Sequence, residues 1–307
     1  MNRIGFCCLM SDSSKNEAHK VGRTFTTPIN LFKDKEKGFI QTQQKILDNI
    51  KGTFNIINYC KRNNVTQYRL SSSIFPMMGL YEFEELPKYK EIVTQLSNLG
   101  KYIRNSDIRV SFHPDHFCKM ASEDNDLLQK TIKVLDFHSL VLDLMGYPAD
   151  HTNHINIHIG GSYGNKLQTL KRFSENLHLL QPNTRNRLTV ENDDISQGYT
   201  VYDLYRYIDL PIVIDTFHHS IHNITIDSIE LTLREAFEMA HETWHPSIIP
   251  VAHHSSSAKV YEDPLKRNTA HANFIYERFN SGSLKFDVEI EAKHKELAVL
   301  LYLKQFK

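Results

Sequence analysis

The chain has 307 residues, a hydrophobic share of 40%, and 36 Lys+Arg balanced by 36 Asp+Glu. That is enough apolar material for one large core, and the charge balance excludes the chain-wide positive field of a general nucleic-acid binder, so any phosphate-binding surface has to be local. No apolar run nears the roughly 18 residues of a membrane helix, and the opening "MNRIGFCCLM" gives way at once to "SDSSKNEAHK"; the expectation is an intracellular, cytoplasmic protein with no membrane partner.

Strand-like and helix-like runs alternate along the whole sequence. The first half predicts a strand at 3–9, a helix at 40–62, a strand at 67–72, a helix at 85–103, a strand at 108–112, a helix at 126–145 and a strand at 154–159. The second half continues with a helix at 166–180, a strand at 187–191, a helix at 200–208, a strand at 211–215, a helix at 228–243, a strand at 248–252, a helix at 268–279, a strand at 285–291 and a helix at 294–305. The helices rest on apolar spacing such as Ile46, Ile50, Phe54 and Ile57, or Leu128, Ile132, Leu135 and Leu142. Alternation implies a parallel sheet with helical crossovers, and eight units without a linker predict a single α/β domain over 1–307, a (β/α)₈ TIM-type barrel. A doubly wound open sheet is the alternative, but it would carry a Gly-rich phosphate loop, and no GxGxxG is present. No nucleotide cofactor is therefore expected. Cys7, Cys8, Cys60 and Cys118 have no CxxC spacing and read as reduced structural thiols, Cys7 and Cys8 pointing to opposite faces if both lie in a strand.

The 17 histidines carry the functional signal, because of where they fall. Six of the eight strands finish on a metal-ligand type of residue: His113 in "VSFHP", His158 in "INIHIGG", Glu191 in "LTVEND", Asp215 in "VIDTFHH", His253 in "VAHHSS" and Glu291 in "VEIEAK". One such residue alone is more often a cap or a satisfied polar group. Six together are different, since parallel barrel strands bring their C-terminal ends to one mouth. Three imidazoles and three carboxylates gathered there would repel and resist desolvation unless cations sat among them. Mixed N and O donors suit Zn, Mn or Fe over Ca or Mg. His218, three residues past Asp215, and His271 fit the same site; His151, His154, His219 and His254 are equally well read as supporting or surface residues. Carboxylates bridging two cations suit in-line displacement at phosphorus, and the same ingredients also suit a metal-dependent sugar isomerase.

In this order along the chain, "YRLSSSIFP", "SFHP", "INIHIGGSYGNK", "LTVENDD", "IDTFHH", "HHSSS" and "FDVEIEAKHKE" resemble the UV damage endonuclease family, a relative of the endonuclease IV group. The resemblance runs from "RIGF" to about residue 297. It implies two to three divalent ions, Mn²⁺ with Zn²⁺ as the alternative, and ATP-independent nicking of double-stranded DNA 5′ to UV photoproducts and some other lesions. Carried over, His113, His158 and Glu191 form one metal site with Glu191 bridging, Asp215, His253 and Glu291 a second, and His218 and His271 a third. Lys293 would meet a phosphate, which with Glu191, Asp215 and Glu291 gives the catalytic set. Gly160, Gly161 and Tyr163 match the loop after strand four, where small residues let a DNA backbone approach. A monomer is expected.

The sequence departs from that pattern in three places. Met77, Met78, Gly79, Leu80 and Tyr81 stand where family members place a histidine, and Val251 where some have a lysine. His116 and Phe117 occupy the pair that probes the damaged base step, so a stacking ring is kept while the amide that would read base edges is an imidazole. Lys166, Lys171, Arg172, Lys259, Lys266 and Arg267 are candidate phosphate contacts, though such residues are most often a solvated face. A diverged lesion-binding protein without catalysis remains an alternative at this stage.

Overall fold

The computed structural model describes residues 2–11, 34–114 and 117–306. Asp115 and the proposed lesion contact His116 lie outside the described residues. Eight parallel strands close into a barrel in sequence order: β1 Ile4–Cys7, β2 Gln67–Leu70, β3 Arg109–Phe112, β4 Ile155–His158, β5 Leu188–Glu191, β6 Ile212–Asp215, β7 Val251–His254 and β8 Asp287–Ile290. β8 returns to pair with β1, so no edge is left open. The TIM-type barrel expected from the alternation is the fold observed.

The crossover helices are α1 Lys35–Arg62, α2 Tyr89–Asn105, α3 Asn125–Leu144, α4 Lys166–Asn176, α5 Pro182–Arg185, α6 Val201–Tyr207, α7 Thr216–Ile221, α8 Leu233–Glu242, α9 Ala258–Tyr261 and α10 Lys295–Phe306. The longer ones turn one apolar stripe toward the barrel: α1 buries Ile46, Ile50, Ile56 and Ile57, and α2 buries Ile92, Leu96, Leu99 and Ile103. Side-chain caps start α3 and α6, Asp124 accepting from the N–H groups of Asp126 and Leu127, and Thr200 and Asp203 forming a reciprocal box.

The helix expected at 268–279 does not form. Its backbone groups pair sideways instead: Ala258 N–H donates to Ala270 O (2.8 Å), Ala272 N–H to Ser256 O (2.8 Å), and Lys293 N–H to Ala272 O (3.0 Å). Tertiary pairing overrides helical spacing there and lays His271 along the barrel mouth, bridged to Ser257. Strand seven sits at 251–254, three residues beyond the predicted start, so His253 and His254 are both strand residues facing opposite ways. The one-turn helix α7 was not foreseen.

The barrel interior is stacked in layers set by the two-residue period of the strands. On the β6–β7 side Val213 and Val251 pack with Trp244, so Val251 is part of an apolar plug. Around β2, β3, β4, β5 and β8 the buried layer below the mouth is polar, made by Gln67, Ser111, Asn156, Thr189 and Glu289.

Candidate functional site

Register brings the six strand-end residues together. His158 lies beside Glu191 and Asp215 beside His253. Glu191, 1% exposed, is the centre. Its Oε2 is 3.1 Å from His113 Nε2, 3.9 Å from His158 Nε2 and 3.2 Å from His253 Nδ1, and its Oε1 is 3.3 Å from His218 Nδ1. Two sets offer ligand atoms all within 4.8 Å of one another: His113, His158 and Glu191, and Glu191, Asp215 and His218. The first is the trio expected from the sequence. In the second the geometry sets Asp215 with Glu191 and His218, whereas the expectation grouped it with His253 and Glu291. His253 Nδ1 is 3.4 Å from Glu291 Oε1, and His271 Nδ1 is 3.9 Å from Glu291 Oε2, on the far side of the same cluster.

The histidines are oriented from behind. A backbone carbonyl can only accept, so it fixes the proton on the ring nitrogen facing it. His113 Nδ1 donates to Pro114 O (3.0 Å), His218 Nδ1 to Asn192 O (2.9 Å) and His271 Nδ1 to Glu291 O (2.7 Å), leaving each Nε2 as the remaining ring nitrogen. His158 Nδ1 is held 2.9 Å from Asp193 Oδ1. His253 is reversed, with Nε2 3.3 Å from the fully buried Glu289 and Nδ1 turned to Glu191. Asp215 caps α7 through Oδ1, which accepts from Phe217 N–H (2.7 Å) and His218 N–H (2.9 Å), and that turn is what sets His218 over the acid. Asp215 Oδ2 and His253 Nδ1 are buried with no aligned hydrogen-bond partner.

These contacts require positive charge. Around Glu191 Oε2 the lone pairs of His113 Nε2, His158 Nε2 and His253 Nδ1 face the carboxylate, which is repulsive unless a proton or a cation lies between them. Burial alone would raise the Glu191 carboxyl, but His253 and His158 more than reverse this and hold it well below the usual range. Burial would lower His158, and Glu191 followed by Asp193 instead push it up to about 9. A divalent ion would supply the same charge at the same atoms, so the donor set fits a metal.

The profile of the family described as UV-endonuclease UvdE matches residues 2–307. This chain belongs to the UV-endonuclease UvdE family. The UV DNA damage endonuclease of Bacillus cereus (strain 03BB102) is 33% identical over 295 residues, covering 92% of this chain and 87% of the relative. That of Bacillus mycoides (strain KBAB4) is 34% identical over 267 residues, covering 83% and 79%. Among solved structures SacUVDE has a TM-score of 0.81 at 25% identity over 99% of this chain and 97% of its own. Endonuclease IV from Thermus thermophilus (TM-score 0.53, 14% identity, 83% of this chain and 93% of its own) shares the fold alone. So does D-psicose 3-epimerase from Clostridium cellulolyticum (0.53, 12%, 83% and 84%), which therefore lends nothing to the sugar-isomerase alternative. Membership of the UvdE family makes the chain a DNA-repair endonuclease, with DNA as substrate, and no described helix is long and apolar enough to cross a membrane.

Of the other expected site residues, Phe117 projects at the rim with 65% of its surface exposed, and Tyr163 with 39%, its ring covered on one face by the Arg172 guanidinium at 5.1 Å. Gly161 is exposed, and a Cβ there would meet nothing within 4 Å. Lys293 is exposed on the outer rim; the lysine that turns inward is Lys295, near Arg69 and Glu291. Most of the six candidate phosphate-binding bases have local partners: Lys171 with Glu175, Arg172 with Glu123, Lys259 with Asn268, and Lys266 with Asp263. His254 bonds Thr216 Oγ1 and Glu277 O and faces away from the mouth.

Several supporting residues were missed. Glu289 accepts from Gln67 Nε2 (2.9 Å) and Ser111 Oγ, Asn156 donates to Glu191, and Arg69 Nη1 meets Glu291 Oε1 at 2.5 Å. Each of Gln67, Ser111, Asn156 and Glu289 precedes a mouth residue by two, so strand periodicity could have found them. Asp193 stands inside "VEND", and Gly198 serves it: a Cβ at 198 would lie 2.2 Å from Asp193 Cβ.

Proposed function

We propose that the mouth holds two to three divalent cations, manganese with zinc as the alternative, and that the chain hydrolyses the phosphodiester 5′ to UV photoproducts and other distorting lesions in duplex DNA. The observation that carries this reading is the set of imidazoles fixed from behind around one central carboxylate, with buried donor atoms left unpartnered. His113, His158, Glu191, Asp215, His218, His253, His271 and Glu291 would hold the ions. Bound there, they would activate a water and neutralise charge developing on the phosphate oxygens.

The chain's own part is placement and exclusion. Asn156 holds Glu191, Asp193 aims His158, and Glu289 aims His253, while the polar layer beneath keeps these groups from relaxing into the barrel. At the rim Phe117 would stack in the opened helix, since every base has a π face. Gly161 would leave room for the strand, with Tyr163 beside it. His116 is proposed to act with Phe117 in probing the base step.

The test is incision of end-labelled duplexes, each with one defined lesion, in manganese, zinc, magnesium or chelator. The expected outcome is a damage-dependent nick on the 5′ side, lost in chelator and in Glu191→Gln, with the variant's metal content reduced. Undiminished cutting by Glu191→Gln, or a nick indifferent to chelation, would overturn the metal mechanism.

A further inference from the structure

At the end of β1, next to the mouth but outside the ligand set, two thiols and an ammonium meet. Cys7 ends the strand, 3% exposed, and Cys8 follows half-buried. Alternation would send them to opposite sides, yet Cys8 has φ +65°, a left-handed conformation that side chains rarely adopt. Its N–H donates to Arg69 O (2.8 Å) and its carbonyl accepts from Tyr68 Oη (2.7 Å), which hold it there. The Cys8 thiol stays near enough to that of Cys7 to help draw its pKa down, and Cys7 Sγ reaches Ile290 O at 4.0 Å. From the other side Lys295, also left-handed at φ +45°, donates its Nζ to Cys7 Sγ at 3.4 Å. Two unfavourable backbone conformations thus converge on one sulfur, which is where strain tends to mark a working site.

We propose that Cys7 and Cys8 form a dithiol modification site for hydroperoxides, with Cys7 as the attacking sulfur and Cys8 as the resolving one. The Cys8 thiol lowers the Cys7 pKa most, against burial, and the Arg69 guanidinium and then the Lys295 ammonium beside the sulfur add to this and favour the thiolate. The thiolate sulfur attacks one peroxide oxygen: an S–O bond forms, the O–O bond breaks, and hydroxide leaves and takes up a proton as water. Cys7 is then a sulfenic acid. The Cys8 sulfur displaces its oxygen, an S–S bond forms, the S–O bond breaks and a second water departs. Two thiols lose two electrons and one hydroperoxide gains them. Neighbouring Cα atoms are about 3.8 Å apart, shorter than the usual disulfide range of about 4.4–6.8 Å, so the product is strained and readily reversed by a thiol. The cations flanking the sulfurs make the pair a poor seat for a metal ion and a good one for an electrophile.

The other cysteines are internal controls. Cys60 is fully buried in the core and burial pushes its thiol up, which makes it inert. The experiment treats the purified protein with hydrogen peroxide and maps its peptides by mass. The expected product is one peptide spanning residues 7 and 8 that has lost two hydrogens and is restored by a reducing thiol. In Cys8→Ser the resolving sulfur is absent, and dimedone should trap a sulfenic acid on Cys7. In Lys295→Met alkylation of Cys7 by iodoacetamide should slow roughly tenfold. Oxidation appearing first at Cys60 or Cys118, no sulfenic acid on Cys7 in Cys8→Ser, or an unchanged alkylation rate in Lys295→Met would each overturn the proposal. Peptide mapping of the unsubstituted chain stands even where a variant folds poorly.

Discussion

The two ends of the barrel interior both bury charged side chains and finish them in opposite ways. At the floor Arg109 and Asp287 form a buried pair at 2.9 Å. Arg109 also donates to the carbonyls of Thr152, Ile249 and His151, and Asp287 Oδ1 accepts Arg3 N–H, so this ion pair is supported on several sides. At the mouth Glu191 stands among four imidazoles with Asp215 Oδ2 and His253 Nδ1 unsatisfied. A buried charge that is paired and hydrogen-bonded is structural; a buried charge set that needs a further cation is a binding site. The difference between the ends teaches that satisfaction, not composition, separates scaffold from function.

Breaking the floor should give the largest effect, and on stability only. Arg109→Met strands Asp287 in the barrel, and loss of one partner of a buried pair costs about 3–5 kcal/mol. Denaturant unfolding should show that loss while incision per folded molecule is kept. Equal stability in the variant would mean that the floor pair does not hold the barrel.

Loosening the mouth should do the reverse. Glu289 Oε1 accepts from Gln67 and Ser111, and its Oε2 lies 3.3 Å from His253 Nε2. In Glu289→Gln the amide must turn an N–H toward one of them. If His253 is a ligand, metal affinity should fall by about 10–100-fold, as for other residues that orient ligands, with the fold kept. Calorimetric titration of manganese into metal-free protein reads this directly, and unchanged affinity would remove Glu289 from the site.

The two ends should also separate by pH. In metal-free protein His158 is pushed up to about 9 by Glu191 and Asp193 against an ordinary value of 6.5. A histidine raised on folding contributes stability that is complete below its unfolded value and is lost as pH climbs through the folded one. The metal-free melting temperature should therefore decline between about pH 6.5 and pH 9. Saturating metal replaces that proton and should flatten the decline. A slope that is the same with and without metal would place its cause away from the mouth.

How much of this was legible depended on whether the determining contacts were local. Asp215, His253 and Glu291 could be read because a strand end in a closed parallel barrel has one destination. The helix at 268–279 was misread because its fate is decided by Ser256 and Ala258 across a loop and by Lys293 beyond it, which spacing does not encode. Grouping Asp215 with His253 and Glu291 followed the strand neighbours, while the set whose ligand atoms lie within 4.8 Å joins Asp215 to Glu191 and to His218, which arrives through α7, a turn started by Asp215 itself. Glu289 and Asn156 were hidden for a different reason: their alternation was visible, but attention to final residues passes over the layer beneath. Cys8 broke alternation through one left-handed residue that no pattern announces.

The smallest expected effect concerns two neighbouring glycines after β4. Gly160 has φ +82°, and a Cβ there would sit 3.1 Å from the Lys119 side chain, so the fold itself accounts for it. Gly161 has no such conformation and no atom within 4 Å of where a Cβ would stand. Gly161→Val should therefore change unfolding by less than about 0.5 kcal/mol, the range of ordinary surface substitutions. If a DNA backbone passes over this loop, the added side chain should raise KM for lesion duplex several-fold and leave kcat nearly unchanged, because it obstructs binding without touching the reacting phosphate. Gly160→Val should instead lower the melting temperature. Should Gly161→Val cut with unaltered KM, the strand runs elsewhere on the rim, and Phe117 and Tyr163 would have to be separated as lesion contacts.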